Sequence, residues 1–362
     1  MSAAQSLNHD HHDDHQEYGH QDHSSREIGD PIKWYRCKVP RDLFAELNRK
    51  SDRQGFVQTL GYLGILTTTG TFACIAAFHA PWYVTVIAFF LHGTCWNFMI
   101  NGFHELLHES VFKTRRYNRF FVPIFSFLGW YNHYHFWTSH TEHHKFTLHA
   151  PDDLEAVATR EESLRVLSKS MVVDFVGFYE TLRGSIRLAL GQLSGTWEHH
   201  LFDDASPKLR AQLFNWSRFV LLGHAAVIIV SIWTGWWPIA LAVSLPRFYG
   251  GWLFLLCNST QHTALPDNVP DFRICCRTMY LNPVVQFLYW HMNYHTEHHM
   301  YPGVPCYNLA QLHRAIKNDM PECPRGLLET WRVIQKIQRQ QQADPTYRFE
   351  PILPKSLVTL AK

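Results

Sequence analysis

Residues 104 to 108 read HELLH. His104 and His108 stand four apart and therefore share one face of a helix, with Glu105 directly after the first. In zinc metalloproteases two such histidines hold the metal and the glutamate is the general base. The same five residues also suit a centre with more histidines and two irons. HTEHH occupies His140 to His144 and recurs letter for letter at His295 to His299. At this chain's histidine frequency, composition alone would supply only about 0.1 matches to HxxHH. Positions i, i+3 and i+4 lie on one helical face, so His140, His143 and His144 can aim at one point, as can His295, His298 and His299.

Eight imidazoles are more than one zinc needs, since a catalytic zinc takes three protein ligands and keeps one open position. Two metals with about four nitrogens each fit the number better, and imidazole suits iron. Such a site, loaded with dioxygen, could attack unactivated C–H bonds. Glu105 and His108 also make the Glu-x-x-His of soluble di-iron bundles, but that fold needs a second copy in the right setting, and none is found. Two other classes stay open on the residues: an intramembrane zinc protease with Glu105 as base, and a metal transporter. The transporter would place histidines or carboxylates at the centres of membrane spans, whereas these clusters fall at span ends.

The elements that must position the clusters are apolar runs. Phe56–Phe78 and Pro81–Phe103 each hold 23 residues without a formal charge; Phe219–Trp237 adds 19, and Pro238–Cys257 adds 20 interrupted only by Arg247. Crossing a bilayer takes roughly 20 apolar residues, so each run can span. The connections within each pair are very short, which predicts two helical hairpins. Lys and Arg number 8 before Phe56, 13 from His104 to Arg218 and 11 after Asn258, and the tight turns carry none. Positive charge is retained on the cytoplasmic side, so both termini and the long middle segment are expected there, with all three clusters on that face.

The remaining composition narrows the function. A net charge of +2 over 362 residues argues against a nucleic-acid binder. The eight cysteines are scattered without a CxxC pair and read as reduced thiols. Residues 1–30, with six histidines among aspartates, read as a disordered, solvated tail, and no cleavable signal peptide is expected. Phe120–Phe136 carries Pro123 and Gly129, and Met171–Leu193 is charged on one side; both are expected to lie along the membrane interface.

HELLH and the two HTEHH clusters, set around two apolar hairpins, resemble the three histidine boxes of the membrane fatty-acid desaturase superfamily. The resemblance spans roughly residues 56–315. It implies a cytosol-facing di-iron centre with a further histidine near the end of the fourth helix. CNSTQH supplies that position, which makes His262 the ninth ligand and Asn258 a water-mediated contact. The nine implied ligands are therefore His104, His108, His140, His143, His144, His262, His295, His298 and His299. MNYHTEHHMYPGVPCYNLAQLH, around the third box, resembles a branch that includes hydrocarbon oxygenases such as the rhizopine-catabolism oxygenase. No His-Pro-Gly-Gly of a fused b-type cytochrome occurs.

Asp152 and Asp153 are candidates to orient ligand imidazoles through their second nitrogens; His133, His135 and His291 have weaker claims of the same kind. Arg247 within a span is expected to face protein or water. The expectation is an all-α integral membrane protein of four spanning helices (56–78, 81–103, 219–237 and 238–257) with a cytoplasmic helical cap carrying the di-iron site. A cytoplasmic segment at 31–55 precedes the 56–315 domain, and a cytoplasmic tail at 316–362 follows it. The expected chemistry is O2-dependent desaturation of a lipid, with hydroxylation, ketolation or epoxidation of a lipophilic substrate as the alternative. Electrons would come from an external b-type cytochrome, or from a ferredoxin with its reductase. The membrane would be the endoplasmic reticulum if the source is eukaryotic.

Overall fold

The computed structural model describes residues 27–156 and 162–354. The chain divides into Met1–Asp30 and Pro31–Lys362. Of the expected histidine-rich tail, residues 1–26 lie outside the described ones; the Asp30 N–H closes a turn onto Glu27 O at 3.2 Å.

The larger unit is helical, and among its described residues only isolated β-bridges occur. A short α1 (Arg41–Leu47) precedes α2 (Asp52–His79), whose N-terminus is capped by the Ser51 hydroxyl accepting from Gln54 N–H. Pro81 stops α2 by forcing Ala80 into an extended conformation, and the chain turns back at once into α3 (Trp82–Trp96). After a break at residues 97–98 the same apolar run continues as α4 (Met99–Leu107), so that Trp82–Leu107 is one 26-residue candidate span. The first box therefore ends this span, as expected from its place in the sequence.

Next come α5 (Arg115–Leu128) and α6 (His133–Phe146), separated at Gly129, so Phe120–Phe136 is not one continuous helix. Asn132 caps α6, accepting from the backbone N–H groups of Tyr134 and His135 at 3.2 Å each. Three helices follow, α7 (Leu164–Leu167), α8 (Phe175–Ala189) and α9 (Gly195–Phe202). On α8, Phe175, Val176 and Tyr179 stay exposed. α10 (Pro207–Trp233) is the third helix long and apolar enough to cross a membrane.

The expected fourth span differs. Residues 238–257 do not form one helix but a π-helical turn (Ala240–Ser244), a 3-10 turn (Pro246–Phe248) and then α11 (Trp252–Asn258). Three residues account for the break. Pro246 has no N–H for the helical ladder, Gly250 adopts φ +66°, and Arg247 turns inward to donate to Gly129 O and lie 4.4 Å over the Tyr131 ring. The broken segment lies flush on α3 because a Cβ on Gly93 would sit 2.4 Å from Tyr249 O. His92 pins the same contact, with Nδ1 2.8 Å from Thr69 Oγ1 on α2 and Nε2 2.9 Å from Ala242 O.

Beyond α11 the chain forms α12 (Phe272–Cys275), α13 (Pro283–Leu288), α14 (His295–Met300), α15 (Leu309–Ile316) and α16 (Gly326–Ala343). α16 packs Trp331, Ile334 and Ile337 with Leu167 and Ala264, and Trp331 Nε1–H donates to Leu256 O at 3.0 Å. All eight cysteines are free thiols.

Candidate metal centre

Four segments bring the histidines together: the end of α4, the body of α6, the turn after α11, and α14. They converge as two groups. Ligand atoms of His104, His108, His140, His144 and His298 all lie within 4.8 Å of one another. Within that group His104 Nε2 is 2.7 Å from His140 Nε2, and His298 Nε2 is 3.2 Å from His144 Nε2. A second group holds His262, His295 and His299 with Cys276, again within 4.8 Å. There His295 Nε2 lies 2.9 Å from His262 Nε2 and 3.1 Å from His299 Nε2. The His143 ring packs beside this second group, 5.0 Å from His299 and 5.4 Å from His262 between centroids.

Nitrogens this close cannot all carry protons, and the far side of several rings explains why they need not. His140 Nδ1 is 2.7 Å from Glu155 Oε1, and His143 Nδ1 is 2.8 Å from Asp153 Oδ2. His262 Nδ1 is 2.8 Å from the Cys275 carbonyl, and His104 Nδ1 is 3.1 Å from Glu105 Oε1. A carbonyl or carboxylate oxygen only accepts, so each of these Nδ1 atoms is the protonated one and each Nε2 offers its lone pair inward. His299 Nδ1 has the Thr147 hydroxyl at 3.2 Å.

Electrostatics act in the same direction. Burial and the neighbouring imidazoles hold His140, His144, His295, His298 and His299 well below the usual histidine range, and burial holds His108 and His262 at about 3. These rings are neutral at pH 7, the form that binds metal. His143 is the exception: burial would lower it, but the Asp153 carboxylate beside it prevails and raises it. Burial likewise opposes the Asp153 charge, yet His143 and the backbone N–H groups of Leu148 and Glu155 hold that carboxyl at about 2.

The backbone is strained beside the site. Glu109, Leu148, Ala264 and His291 all have positive φ, of 50°, 58°, 61° and 58°. Each costs about 1–3 kcal/mol, and each falls within four residues of a clustered histidine. A cavity of about 240 Å³ opens between the groups. His104 and His140 of the first group line it with His143, His262 and His295, and its wall also includes Asn258, Ile100, Phe136, Met292 and the carboxylates Glu155 and Glu162.

Asn258 lines the cavity together with His262. Asp153 reaches the His143 imidazole, and Asp152 beside it is buried as well. His135 lies away from the cluster, 3.9 Å from Glu198 and against Phe202. His133 meets Ser126 and Trp216, and His291 meets Gln286. Glu155, Thr147 and Cys276 were not foreseen; no local spacing marks them, because each reaches the rings by a fold of the chain rather than by a helical repeat. Glu105 is fully buried, accepts from the Ser110 hydroxyl and lies behind the ligands, a position from which it cannot serve as a protease base on metal-bound water.

The donor chemistry fits a pair of metal ions: eight imidazoles in two groups with His143 beside the second, and the Nδ1 atoms of His104, His140, His143, His262 and His299 each meet an oxygen from behind. A family model described as "Fatty acid desaturase" matches residues 80–331. An "sn-1 oleoyl-lipid 12-desaturase" from Picosynechococcus sp. is 24% identical over 295 residues, covering 77% of this chain and 81% of that relative.

Proposed function

The chain belongs to the fatty acid desaturase family, and on that premise we propose that it is a di-iron, O2-dependent oxidoreductase that desaturates an acyl chain held in a lipid. The observation that carries this reading is the convergence of eight imidazoles in two groups, with His143 beside the second and the first box at the end of the Trp82–Leu107 candidate span. The relative's name, which specifies an oleoyl-lipid, supports a lipid-linked acyl chain as the substrate class.

In this reading His104, His108, His140, His144 and His298 hold one iron, and His143, His262, His295 and His299 hold the other, with Asn258 beside it through water. When bound, the irons supply dioxygen activation and abstraction of hydrogen from a C–H bond. The chain's own residues do the positioning. Glu105, Asp153, Glu155 and the Cys275 carbonyl fix ring orientation and tautomer. Ile100, Phe136 and Met292 offer an apolar wall for the methylene pair. Loss of a second hydrogen from the adjacent carbon gives the alkene. The electrons come from an external carrier, a b-type cytochrome or a ferredoxin with its reductase.

The proposed topology is four crossings in two hairpins, the last completed by the broken segment through α11, with both termini cytoplasmic. The basic residues on the box-bearing side support it, as do Trp82, Trp233 and Trp236 at the opposite turns, exposed where an interfacial aromatic belt would lie. Phe78 meets Trp236 there, with ring centroids 5.5 Å apart. The domain limits proposed are 31–55, 56–315 and 316–362, and in a eukaryotic source the membrane would be the endoplasmic reticulum.

Two measurements test the reading together. Elemental analysis of the detergent-purified protein is expected to find two irons per chain, and fewer in His298→Ala. Mass spectrometry of the product is expected to find a loss of two hydrogens. A gain of one oxygen atom would instead assign a hydroxylase or epoxidase of the same site, the alternative carried by the text around the third box. One metal per chain, indifferent to His298, would overturn the two-metal reading.

A further inference from the structure

The second group of histidines contains an atom that the imidazole count does not use. Cys276 Sγ lies within 4.8 Å of ligand atoms of His262, His295 and His299. The thiol is 3% exposed, as a residue, and is held in place from both sides. On one side the Cys275 carbonyl accepts from His262 Nδ1 at 2.8 Å; on the other the Arg277 N–H donates to Gln261 O at 2.8 Å. Arg277 also donates from its guanidinium to Thr260 O and, at 3.0 Å, to Thr263 O. The three-residue strip is therefore clamped along the turn that presents His262. These bonds hold the Cys276 backbone beside His262, and its sulfur lies 3.9 Å from Cys275 Sγ.

We propose that Cys276 is a ligand of the second metal, a thiolate joining His143, His262, His295 and His299. The proposal rests on the two-metal reading above. On coordination the S–H bond breaks, the sulfur keeps the electron pair and donates it to the metal, and the proton leaves to solvent; no oxidant or reductant is consumed. The two metals then become chemically unlike. One is surrounded by five neutral imidazoles, while the other gains a soft, anionic donor that favours ions such as zinc and cobalt.

Cobalt(II) reports this directly, because a cobalt–thiolate bond gives an intense near-ultraviolet charge-transfer band that imidazole ligands do not. The full chain, purified in detergent and loaded with cobalt(II), is expected to show that band. Cys276→Ser and Cys276→Ala should abolish it and weaken one of the two cobalt sites by more than about tenfold. Cys275→Ser keeps the carbonyl on His262 and should retain the band. Two cobalts per chain without the band in the wild-type protein would overturn the proposal while leaving the two-metal reading intact. A band with a single cobalt would support Cys276 and overturn the two-metal reading. A band that survives both Cys276 substitutions assigns the thiolate elsewhere and overturns the proposal.

Discussion

Glu105 Oε1 lies 3.3 Å from His298 Nδ1, and the same oxygen lies 3.1 Å from His104 Nδ1. One buried carboxylate thus stands behind a ring of the first box and a ring of the third. Glu105→Gln keeps the size but removes the charge that both rings share. Metal affinity is expected to fall about 10–100-fold, the usual cost of losing a partner behind a ligand. Iron per chain under chelator competition reads this. In a zinc protease the same substitution would stop catalysis with metal content unchanged.

Acid should release the metals unevenly. Among the clustered histidines outside the spanning helices, His143 alone is shifted upward, by Asp153, so it is the first to protonate as pH falls. A protonated imidazole cannot bind metal, and the second group is expected to empty before the first. Metal content measured across an acid titration should show two steps. Asp153→Asn removes the charge that raises His143 and should move the first step to lower pH.

The two identical boxes predict different consequences for identical substitutions. Glu142 pairs with Lys145 at the surface at 2.8 Å, whereas Glu297 is fully buried, with His313 Nδ1 at 2.5 Å and the Thr278 hydroxyl donating at 2.5 Å. Glu142→Ala should change stability by about 0–1 kcal/mol. Glu297→Ala strands His313 and Thr278 in the core and is expected to cost about 3–5 kcal/mol. Thermal unfolding of both variants in the same detergent decides.

Gly93→Ala should loosen the broken segment from α3. The new methyl would lie 2.4 Å from both Tyr249 O and Tyr249 Cδ2, and backbone cannot step aside cheaply. A cost of about 1–3 kcal/mol is expected, read as a lower unfolding temperature. The partner variant Leu222→Ala, at a 72% exposed position on α10, should cost far less.

Sequence by itself determined the parts of this protein that repeat over short distances. HELLH and both HTEHH clusters were legible because helical spacing alone puts their rings on one face, and α2, α3–α4 and α10 were legible because an apolar run long enough to cross a bilayer is a local property. Even His262 was recognisable, through its resemblance to a known arrangement. Tertiary structure alone decided how the imidazoles divide into two groups, and that Asp153 and Glu155 reach the rings of His143 and His140. It decided that Pro238–Cys257 breaks where Pro246, Arg247 and Gly250 meet α3 and Gly129. It also decided that Glu142 faces solvent while Glu297, in the same five letters, is sealed against His313. The physical reason is the same in each case. Helical periodicity fixes which side chains point together within a segment, but which segment arrives opposite them is set by packing between distant parts of the chain.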